Sequence, residues 1–325
     1  MANYCVVYVK CRTTEEVIRM KKSVRKYIYK DETGDAQVTV YQLFPGIEVA
    51  YIAAHMAEFD FGVSQKGSCK RNAIIHYCRE GRLEQEGEKE FFYLMPGDCS
   101  INIRNKRKTK FRLPVRHYHG VCIGIDLDEV NCPILAFCEN CGYAPNEIME
   151  HICGELFHTI LRSSESVRKY FDGLYEVSHE QRLDYLRMKL PELFYKMKYL
   201  HTDTLEVRNP VPRTQVDFVK QVAHYISENI NEKITVKRLT QEFGVSDSYL
   251  QNAFRNVYGM PVISFIRVQK MQCAAQVLIQ TTQTIDEIAE TFGYENESKF
   301  SAAFKRIMGD SPGVFRKEHS KIKII

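Results

Sequence analysis

Side chains suited to contacting a nucleic acid recur at helical spacing in two segments of the last third of the chain. Glutamine and asparagine can form paired hydrogen bonds with adenine, lysine and arginine can bind guanine or phosphate, and alanine can offer apolar contact to a thymine methyl. In each segment these residues lie opposite an apolar stripe, which predicts two candidate recognition helices. The residues are Ser248, Gln251, Asn252 and Arg255 in the first segment, and Ser298, Lys299, Ala302, Lys305 and Arg306 in the second.

The two segments belong to an internal repeat with a period of about 50 residues. TVKRLTQEFGVSDSYLQNAFRNVYGMPVISFIR is matched by TIDEIAETFGYENESKFSAAFKRIMGDSPGVFRK, with one residue inserted after the first turn of the second copy. Gly244 and Gly293 stand where a first helix must end with positive φ, and Ser246 and Asn296 are suitable N-caps for a second helix. Each copy therefore predicts a helix-turn-helix unit.

A single helix is predicted between the two copies, over PVISFIRVQKMQCAAQVLIQ, with Pro261 at its start. About 18 helical residues span roughly 27 Å. A rod of that length can hold two recognition helices about one DNA turn apart, roughly 34 Å. Thr284 and Glu287 predict a capping box where the second copy begins.

Residues 214–317 resemble the AraC/XylS family of bacterial transcription regulators, and the segment IDEIAETFGYENESKFSAAFKRIMGDSPGVFRK matches the family signature. The resemblance implies sequence-specific binding to promoter or operator DNA, with activation more common than repression. The base-contacting positions that it implies are Ser248, Gln251 and Asn252 in the first unit, and Ser298, Lys299 and Ala302 in the second.

Residues 38–130 consist of short alternating runs separated by turn signals such as Pro96-Gly97-Asp98, a pattern typical of a small sandwich or barrel. They resemble the cupin-like sensor barrel that precedes the DNA-binding region in many AraC/XylS regulators, which implies control by a small-molecule effector or support for dimerisation. Flanking helices are predicted over EEVIRMKKSVRKYIYK before the barrel and over about 145–200 after it.

The predicted fold class is α+β, with a cupin-like barrel followed by an all-α domain of two helix-turn-helix units joined by a linker helix. We expect a sensing and dimerisation domain over 1–201, a linker over 202–213, because Pro210 and Pro212 favour extended chain, and a DNA-binding domain over 214–325. A leucine-rich stripe in the second of the helices after the barrel is expected to pack on the barrel or to pair with another chain, and Pro191 to bend or restart that helix.

Two residue pairs are weak candidates for metal binding. His117 and His119 lie two apart on a predicted strand and so face one side, as at the start of a cupin metal site. Cys138 and Cys141 form a CxxC that can bind zinc, take part in redox sensing or be ordinary buried thiols. An enzyme alternative, a cysteine-based alkyl acceptor fused to a DNA-binding domain, requires zinc at this CxxC.

The composition sets broad limits on function. A net charge of +4 permits nucleic-acid binding without arguing for it, and no apolar stretch is long enough to span a membrane. We find no phosphate-binding or dinucleotide motif and predict a non-enzymatic protein without a cofactor. The expected partners are double-stranded DNA, RNA polymerase, a small-molecule effector and a second copy of the chain, and the expected compartment is the cytoplasm.

Overall fold

The structure is a computed structural model that describes residues 14–21, 23–61, 72–87, 90–104, 109–128, 132–153, 158–162, 165–199 and 209–319. The chain divides into two compact units, with the boundary between Val211 and Pro212. This boundary falls within the predicted linker.

Strands dominate the first unit. The first six are β1 (Thr14–Lys21), β2 (Val24–Asp31), β3 (Gly34–Phe44), β4 (Ile47–His55), β5 (Glu58–Phe61) and β6 (Asn72–Gly81). The others are β7 (Leu83–Glu86), β8 (Glu90–Leu94), β9 (Asp98–Arg104), β10 (Thr109–Arg112), β11 (Tyr118–Asp126), β12 (His158–Arg162) and β13 (Val211–Pro212). In the described part of this unit the helices are α1 (Pro133–Asn140), α2 (Pro145–Cys153), α3 (Glu165–Gly173) and α4 (Arg182–Lys198).

The strands form two sheets that do not close into a barrel. One sheet has eight strands in the order β1-β2-β3-β4-β11-β6-β9-β12, and the other has five in the order β13-β8-β7-β10-β5. In the described part of the chain, the terminal strands of each order do not pair with one another. The barrel predicted over 38–130 is therefore wrong, although the sheet-rich, mixed α/β character is confirmed.

The larger sheet buries both of its faces, as the alternation of side chains along a strand allows. One face packs against the smaller sheet through residues such as Ile52, Tyr118 and Phe111. The other packs against the helices through residues such as Tyr51 and Phe171. Two separate apolar layers therefore stabilise the unit.

The helix predicted over EEVIRMKKSVRKYIYK is also wrong. This segment forms most of β1 and β2, which pair as an antiparallel hairpin. The prediction relied on apolar residues three and four apart. The period that decides the structure is two, since Tyr27 and Tyr29 are buried and the residues beside them are more exposed. β2 pairs along its whole length with β3, which supplies the hydrogen bonds that a helix would have made internally.

The helical region predicted over about 145–200 is interrupted by β12, which pairs with β9 at the edge of the larger sheet. α4 runs through Pro191 without restarting. Its leucine-rich stripe packs within its own unit, in the apolar layer beside the larger sheet. The buried stripe consists of Leu186, Leu190, Leu193, Phe194 and Met197.

The second unit is helical from Arg213 onward, as predicted. Its helices are α5 (Arg213–Glu228), α6 (Val236–Phe243), α7 (Asp247–Tyr258), α8 (Val262–Gln280), α9 (Ile285–Thr291), α10 (Glu297–Met308) and α11 (Pro312–His319). None of the helices that the structure describes combines the length and apolar character needed to cross a membrane.

Candidate nucleic-acid interface

The first helix-turn-helix unit consists of α6 and α7, and its turn has the local chemistry expected from the sequence. Gly244 ends α6 with a φ of 63°, a left-handed conformation that costs least for glycine. The hydroxyl of Ser246 accepts a hydrogen bond from the backbone N–H of Tyr249 at 3.2 Å and so caps α7. Gly259 ends α7 with a φ of 74°.

The second helix-turn-helix unit consists of α9 and α10 and repeats this arrangement. Thr284 and Glu287 form the predicted capping box at the start of α9, with hydrogen bonds of 3.2 and 2.7 Å. Gly293 has a φ of 77°, and the side-chain oxygen of Asn296 accepts from the backbone N–H of Lys299 at 2.9 Å. The same stop and start signals therefore define both candidate recognition helices.

Each candidate recognition helix buries one face. Leu250, Phe254 and Val257 of α7 are fully buried, and so are Phe300 and Phe304 of α10. Burying a large apolar side chain contributes about 1.5–3 kcal/mol, so these residues fix the rotation of each helix about its axis. Ile307, at the position of α10 that corresponds to Val257, is only half-buried.

Eight of the nine predicted contact residues are exposed, and Gln251 is the exception because it is half-buried. Its side-chain oxygen accepts a hydrogen bond from the backbone N–H of Val262, the first residue of α8, at 3.3 Å. A bidentate contact with adenine uses both ends of the amide, so it requires this hydrogen bond to open.

The exposed face of α7 follows a regular helical spacing. Ser248, Gln251, Asn252 and Arg255 stand at positions i, i+3, i+4 and i+7, which share one face of a helix. Asn252 and Arg255 also contact one another, because the Arg255 guanidinium donates to the Asn252 side-chain oxygen at 3.3 Å.

The equivalent face of α10 includes a residue that the sequence analysis missed. Counting from the two N-caps, the same four positions in α10 are Ser298, Ser301, Ala302 and Lys305. Ser301 is half-buried and corresponds to Gln251. The register of the repeat, in which Leu250 matches Phe300, contained the signal that would have found it.

Lys299 and Arg306 lie on the side adjoining this face of α10, seven residues apart. The Lys299 ammonium pairs with the Glu295 carboxylate one turn earlier, and this hydrogen bond lowers the pKa of Glu295. Exposed pairs of this kind contribute little to stability, so Lys299 can exchange Glu295 for a phosphate at small cost.

Contacts of α8 hold the two helix-turn-helix units together. α8 has 19 residues, which corresponds to roughly 28 Å. The Lys270 ammonium donates to the Phe292 carbonyl, at the end of α9, at 2.9 Å and lies 3.5 Å from the Glu232 carbonyl, in the loop before α6. Burial lowers the pKa of Lys270.

A further cation, Arg316 of α11, fastens the far end of α8. Its guanidinium donates to the Leu278 carbonyl at 3.1 Å and to the Gln283 carbonyl at 2.6 Å. Neither Lys270 nor Arg316 was identified from the sequence, because their acceptors are backbone carbonyls that no residue pattern marks.

The CxxC lies in the strand-rich compact unit that precedes Pro212, and its two thiols have different surroundings. Cys138 is fully buried in α1, and burial raises its pKa to about 11, whereas Cys141 is exposed. Both thiols are free. Zinc at Cys138 and Cys141, redox sensing and the alkyl-acceptor alternative all require reactive or metal-bound thiolates, which a buried Cys138 disfavours.

His117 and His119 also lie in the strand-rich compact unit. There the structure brings them together with His55, a residue that the sequence analysis missed. Burial, followed by the charge of His117, lowers the pKa of His55 and of His119. Among the described residues, these three histidines are the group found with metal-binding atoms close enough to share an ion.

Comparison with known proteins gives a match for the repeated region. Residues 239–318 match a family described as a helix-turn-helix domain. The F1 operon positive regulatory protein of Yersinia pestis is 36% identical over 99 residues, which are 30% of this chain and 33% of that protein. The family match begins in α6 and ends in α11, so it covers both units.

Two further relatives have partial matches of the same extent. The xylose operon regulatory protein of Escherichia coli strain K12 is 29% identical over 106 residues, which are 33% of this chain and 27% of that protein. The bifunctional transcriptional activator/DNA repair enzyme AdaA of Bacillus subtilis strain 168 is 29% identical over 100 residues, which are 31% of this chain and 47% of AdaA. The chain thus spans less than half the length of each of these relatives.

Proposed function

We propose that this chain, whose residues 239–318 match a helix-turn-helix domain family, is an AraC-type transcription regulator that binds specific DNA sequences through α7 and α10. One observation carries the proposal. The two helices have equivalent N-caps, matching buried faces and corresponding outer faces of four positions, all polar in α7 and three of them polar in α10, although they lie 50 residues apart. A helical bundle without a ligand has no reason to keep polar faces in matching places.

The two helices are suited to adjacent segments of the major groove. α8 separates them by a rod of roughly 28 Å, close to the ~34 Å of one DNA turn. The Lys270 ammonium contacts one carbonyl in the loop before α6 and one at the end of α9, which opposes independent movement of the two helix-turn-helix units. We therefore expect one chain to bind two sequence elements about one turn apart on the same face of the duplex.

Regulation of transcription adds three further expectations. The F1 operon protein is named a positive regulator and AdaA an activator, which supports activation and hence contact with RNA polymerase. The first unit is the expected receiver of a small-molecule or redox signal. Self-association is supported by the exposed side of α4, where Met188, Tyr195 and Tyr199 are 78%, 54% and 57% exposed.

Selection of bound duplexes from a random pool by the full chain tests this proposal, with and without cell extract as a source of effector. We expect enrichment of a motif with two elements whose centres lie about 10–10.5 base pairs apart. Enrichment without sequence preference would indicate an architectural protein, and a single element would mean that one of the two helices does not contact bases.

The matched variants for this selection are Ser248→Ala in α7, Ser298→Ala in α10 and the control Gln276→Ala on the exposed side of α8. Ser248→Ala should alter only one element and Ser298→Ala only the other, because each residue lies on a different recognition helix. The control should leave both elements unchanged.

A further inference from the structure

Three adjacent strands of the larger sheet bring four chemically active side chains to one end of the first unit. β11 lies between β4 and β6, and His119 stands opposite Ala53 on one side and Glu80 on the other. Tyr118 pairs with Ala54, so His117, the residue before β11, follows in register with His55. Residues far apart in sequence therefore meet at a single point.

The three histidines do not point between the two sheets. Ala54 and Tyr118 are fully buried in the layer between the sheets, and side chains alternate along a strand. His55, His117 and His119 flank those residues and so lie on the opposite face, beyond the part that the helices cover. His117 and His119 are half-buried and His55 is exposed, which leaves the group open to an ion from solvent.

The backbone around His117 and His119 has features that occur where side chains must be aimed. Arg116 has a φ of 51°, the one left-handed residue other than glycine in the described part of the chain. Gly81 has a φ of 80°, and a Cβ there would lie 2.0 Å from the His117 carbonyl oxygen. The pairing of β11 with β6 is bulged between His119 and Gly120. Strained residues and bulges of this kind are concentrated at functional sites.

The imidazole nitrogens of the group approach one another closely. His55 Nδ1 lies 3.3 Å from His117 Nδ1, and His55 Nε2 lies 3.3 Å from His119 Nε2. One nitrogen from each ring can be chosen so that all three lie within 4.8 Å of one another. Nitrogens bound to one Zn²⁺ at about 2.0–2.1 Å are roughly 3.3 Å apart, so no separation within the group has to shorten by more than about 1.5 Å on binding.

Glu80 contacts the opposite nitrogens of two of the rings. Its Oε2 lies 3.5 Å from His117 Nε2 and 3.6 Å from His119 Nδ1. A carboxylate in this position attracts the N–H of each ring to its outer nitrogen and leaves the inner nitrogen with a lone pair. The lone pairs of His117 Nδ1 and His119 Nε2 then face His55.

We propose that His55, His117 and His119 bind a divalent first-row transition-metal ion, and that Glu80 orients two of these ligands. Three imidazoles with a carboxylate behind them match the donor preference of Zn²⁺ and leave its fourth position to water or to a further ligand. This site is independent of the recognition helices, so its existence does not rest on the proposed DNA binding.

Calorimetric titration of the full chain with Zn²⁺ measures the site directly. We expect wild-type protein to bind Zn²⁺, and His117→Ala and His119→Ala each to lower that affinity by more than about 100-fold, because losing a ligand costs more than losing its outer partner. His151→Ala, which removes an exposed histidine of α2, is the matched control and should leave the affinity unchanged. Equal affinities for wild type and His117→Ala would overturn the proposal.

The cysteines of the chain offer a competing zinc site, and Co²⁺ distinguishes the two. Co²⁺ bound by imidazoles gives visible absorption without the near-ultraviolet thiolate charge-transfer band. A thiolate band that persists in His117→Ala would place the metal on cysteine and overturn the assignment. Melting temperatures should agree among metal-free proteins, and added Zn²⁺ should raise that of wild type but not that of His117→Ala.

The role of Glu80 is tested by Glu80→Gln, which keeps the shape of the side chain and removes its charge. We expect a 10–100-fold loss of Zn²⁺ affinity with the visible Co²⁺ spectrum retained, as for the loss of a partner behind a ligand. A spectrum of altered coordination would make Glu80 a direct ligand. Unchanged affinity would overturn its orienting role.

Discussion

At the residue scale, the side chains of α7 that face outward differ in how the protein holds them. Asn252 is exposed, and its described side-chain contact is with the equally exposed Arg255. Gln251 is half-buried, and its amide oxygen accepts from the start of α8. A hydrogen bond to exposed Arg255 opens at little cost, whereas the contact of Gln251 joins two helices.

This difference predicts separate effects for Asn252→Ala and Gln251→Ala. Each should relax base preference at one position by about 1–3 kcal/mol. Only Gln251→Ala should also lower the free energy of unfolding, by about 1 kcal/mol, since it leaves a helix N-terminal N–H without its acceptor. Competition binding measures the preference and urea unfolding the stability, with Gln276→Ala as the control.

The contact face fails as an assignment if Asn252→Ala keeps the wild-type base preference at every position. A loss of stability in Asn252→Ala equal to that in Gln251→Ala would remove the proposed structural role of Gln251. The two measurements therefore test the two statements separately.

A contact residue could be predicted when nearby residues in the sequence determine its exposure and contacts. It could not be predicted when a distant segment determines them. The residue types and the apolar stripe were enough to select nine side chains, of which eight are exposed, because helix rotation follows from the buried face. The contact of Gln251 with Val262 was not predictable, since it depends on where α8 begins against α7. Ser301 was missed because polar residues were collected by type and not by position relative to the N-cap.

At the element scale, strong local signals gave correct helices in the second unit. Ser246, Asn296 and Thr284 each cap the helix that was expected to follow, and these bonds form within four residues in sequence. Local chemistry also decides where α6 and α7 end, because Gly244 and Gly259 adopt left-handed conformations. Such bonds need no knowledge of the tertiary structure.

The segments predicted incorrectly are those whose partners are distant. β2 is decided by β3, and β12 by β9, whose residues lie some sixty positions earlier, with Ile160 opposite Ser100. Apolar residues spaced by three and four in these segments were compatible with a helix. Pairing partners, which a single sequence does not reveal, override such local preferences.

At element scale, Lys270 makes the contacts on which the proposed spacing between the two recognition helices most directly depends. Lys270→Met keeps the aliphatic stem and removes the ammonium that contacts the Phe292 and Glu232 carbonyls. We expect the free energy of unfolding of the full chain to fall by about 1–2 kcal/mol, as for the loss of a charge-assisted hydrogen bond. We also expect weaker binding to the two-element site and a flatter dependence on spacing, because the two units are then less firmly oriented.

Arg267→Met is the matched control, since it removes a cation of the same helix that is exposed. Urea unfolding and titration of duplexes with spacers longer or shorter by one base pair provide the measurements. If Arg267→Met flattens the spacing dependence as much as Lys270→Met does, charge on α8 and not the Lys270 contact is responsible.

At the scale of the whole molecule, the sequence predicted the mixed α/β fold class but not the arrangement of the sheets before Pro212. Short alternating strands are compatible with a barrel or with two stacked sheets. The choice depends on whether the outer strands pair with one another. Here β1 and β12 are the two edge strands of the larger sheet, and they do not pair in the described part of the chain. The same long-range pairing brings Glu80 and His55 to His119, so the three-histidine group could not be predicted without it.

The proposed function requires a property that the two helix-turn-helix units do not have singly, a fixed distance between the outer faces of α7 and α10. If α8 sets that distance, moving one element by about five base pairs places it on the far side of the duplex, and affinity should fall to that of a single element. Moving it by about ten base pairs restores the side but doubles the separation to roughly 68 Å, which a rod of about 28 Å cannot span. Both duplexes should therefore bind as single-element sites in fluorescence-anisotropy titrations of the full chain, with a scrambled second element as the reference. Two chains joined by a flexible connection would instead tolerate the ten-base-pair displacement, so strong binding to that duplex would contradict α8 as the element that sets the spacing.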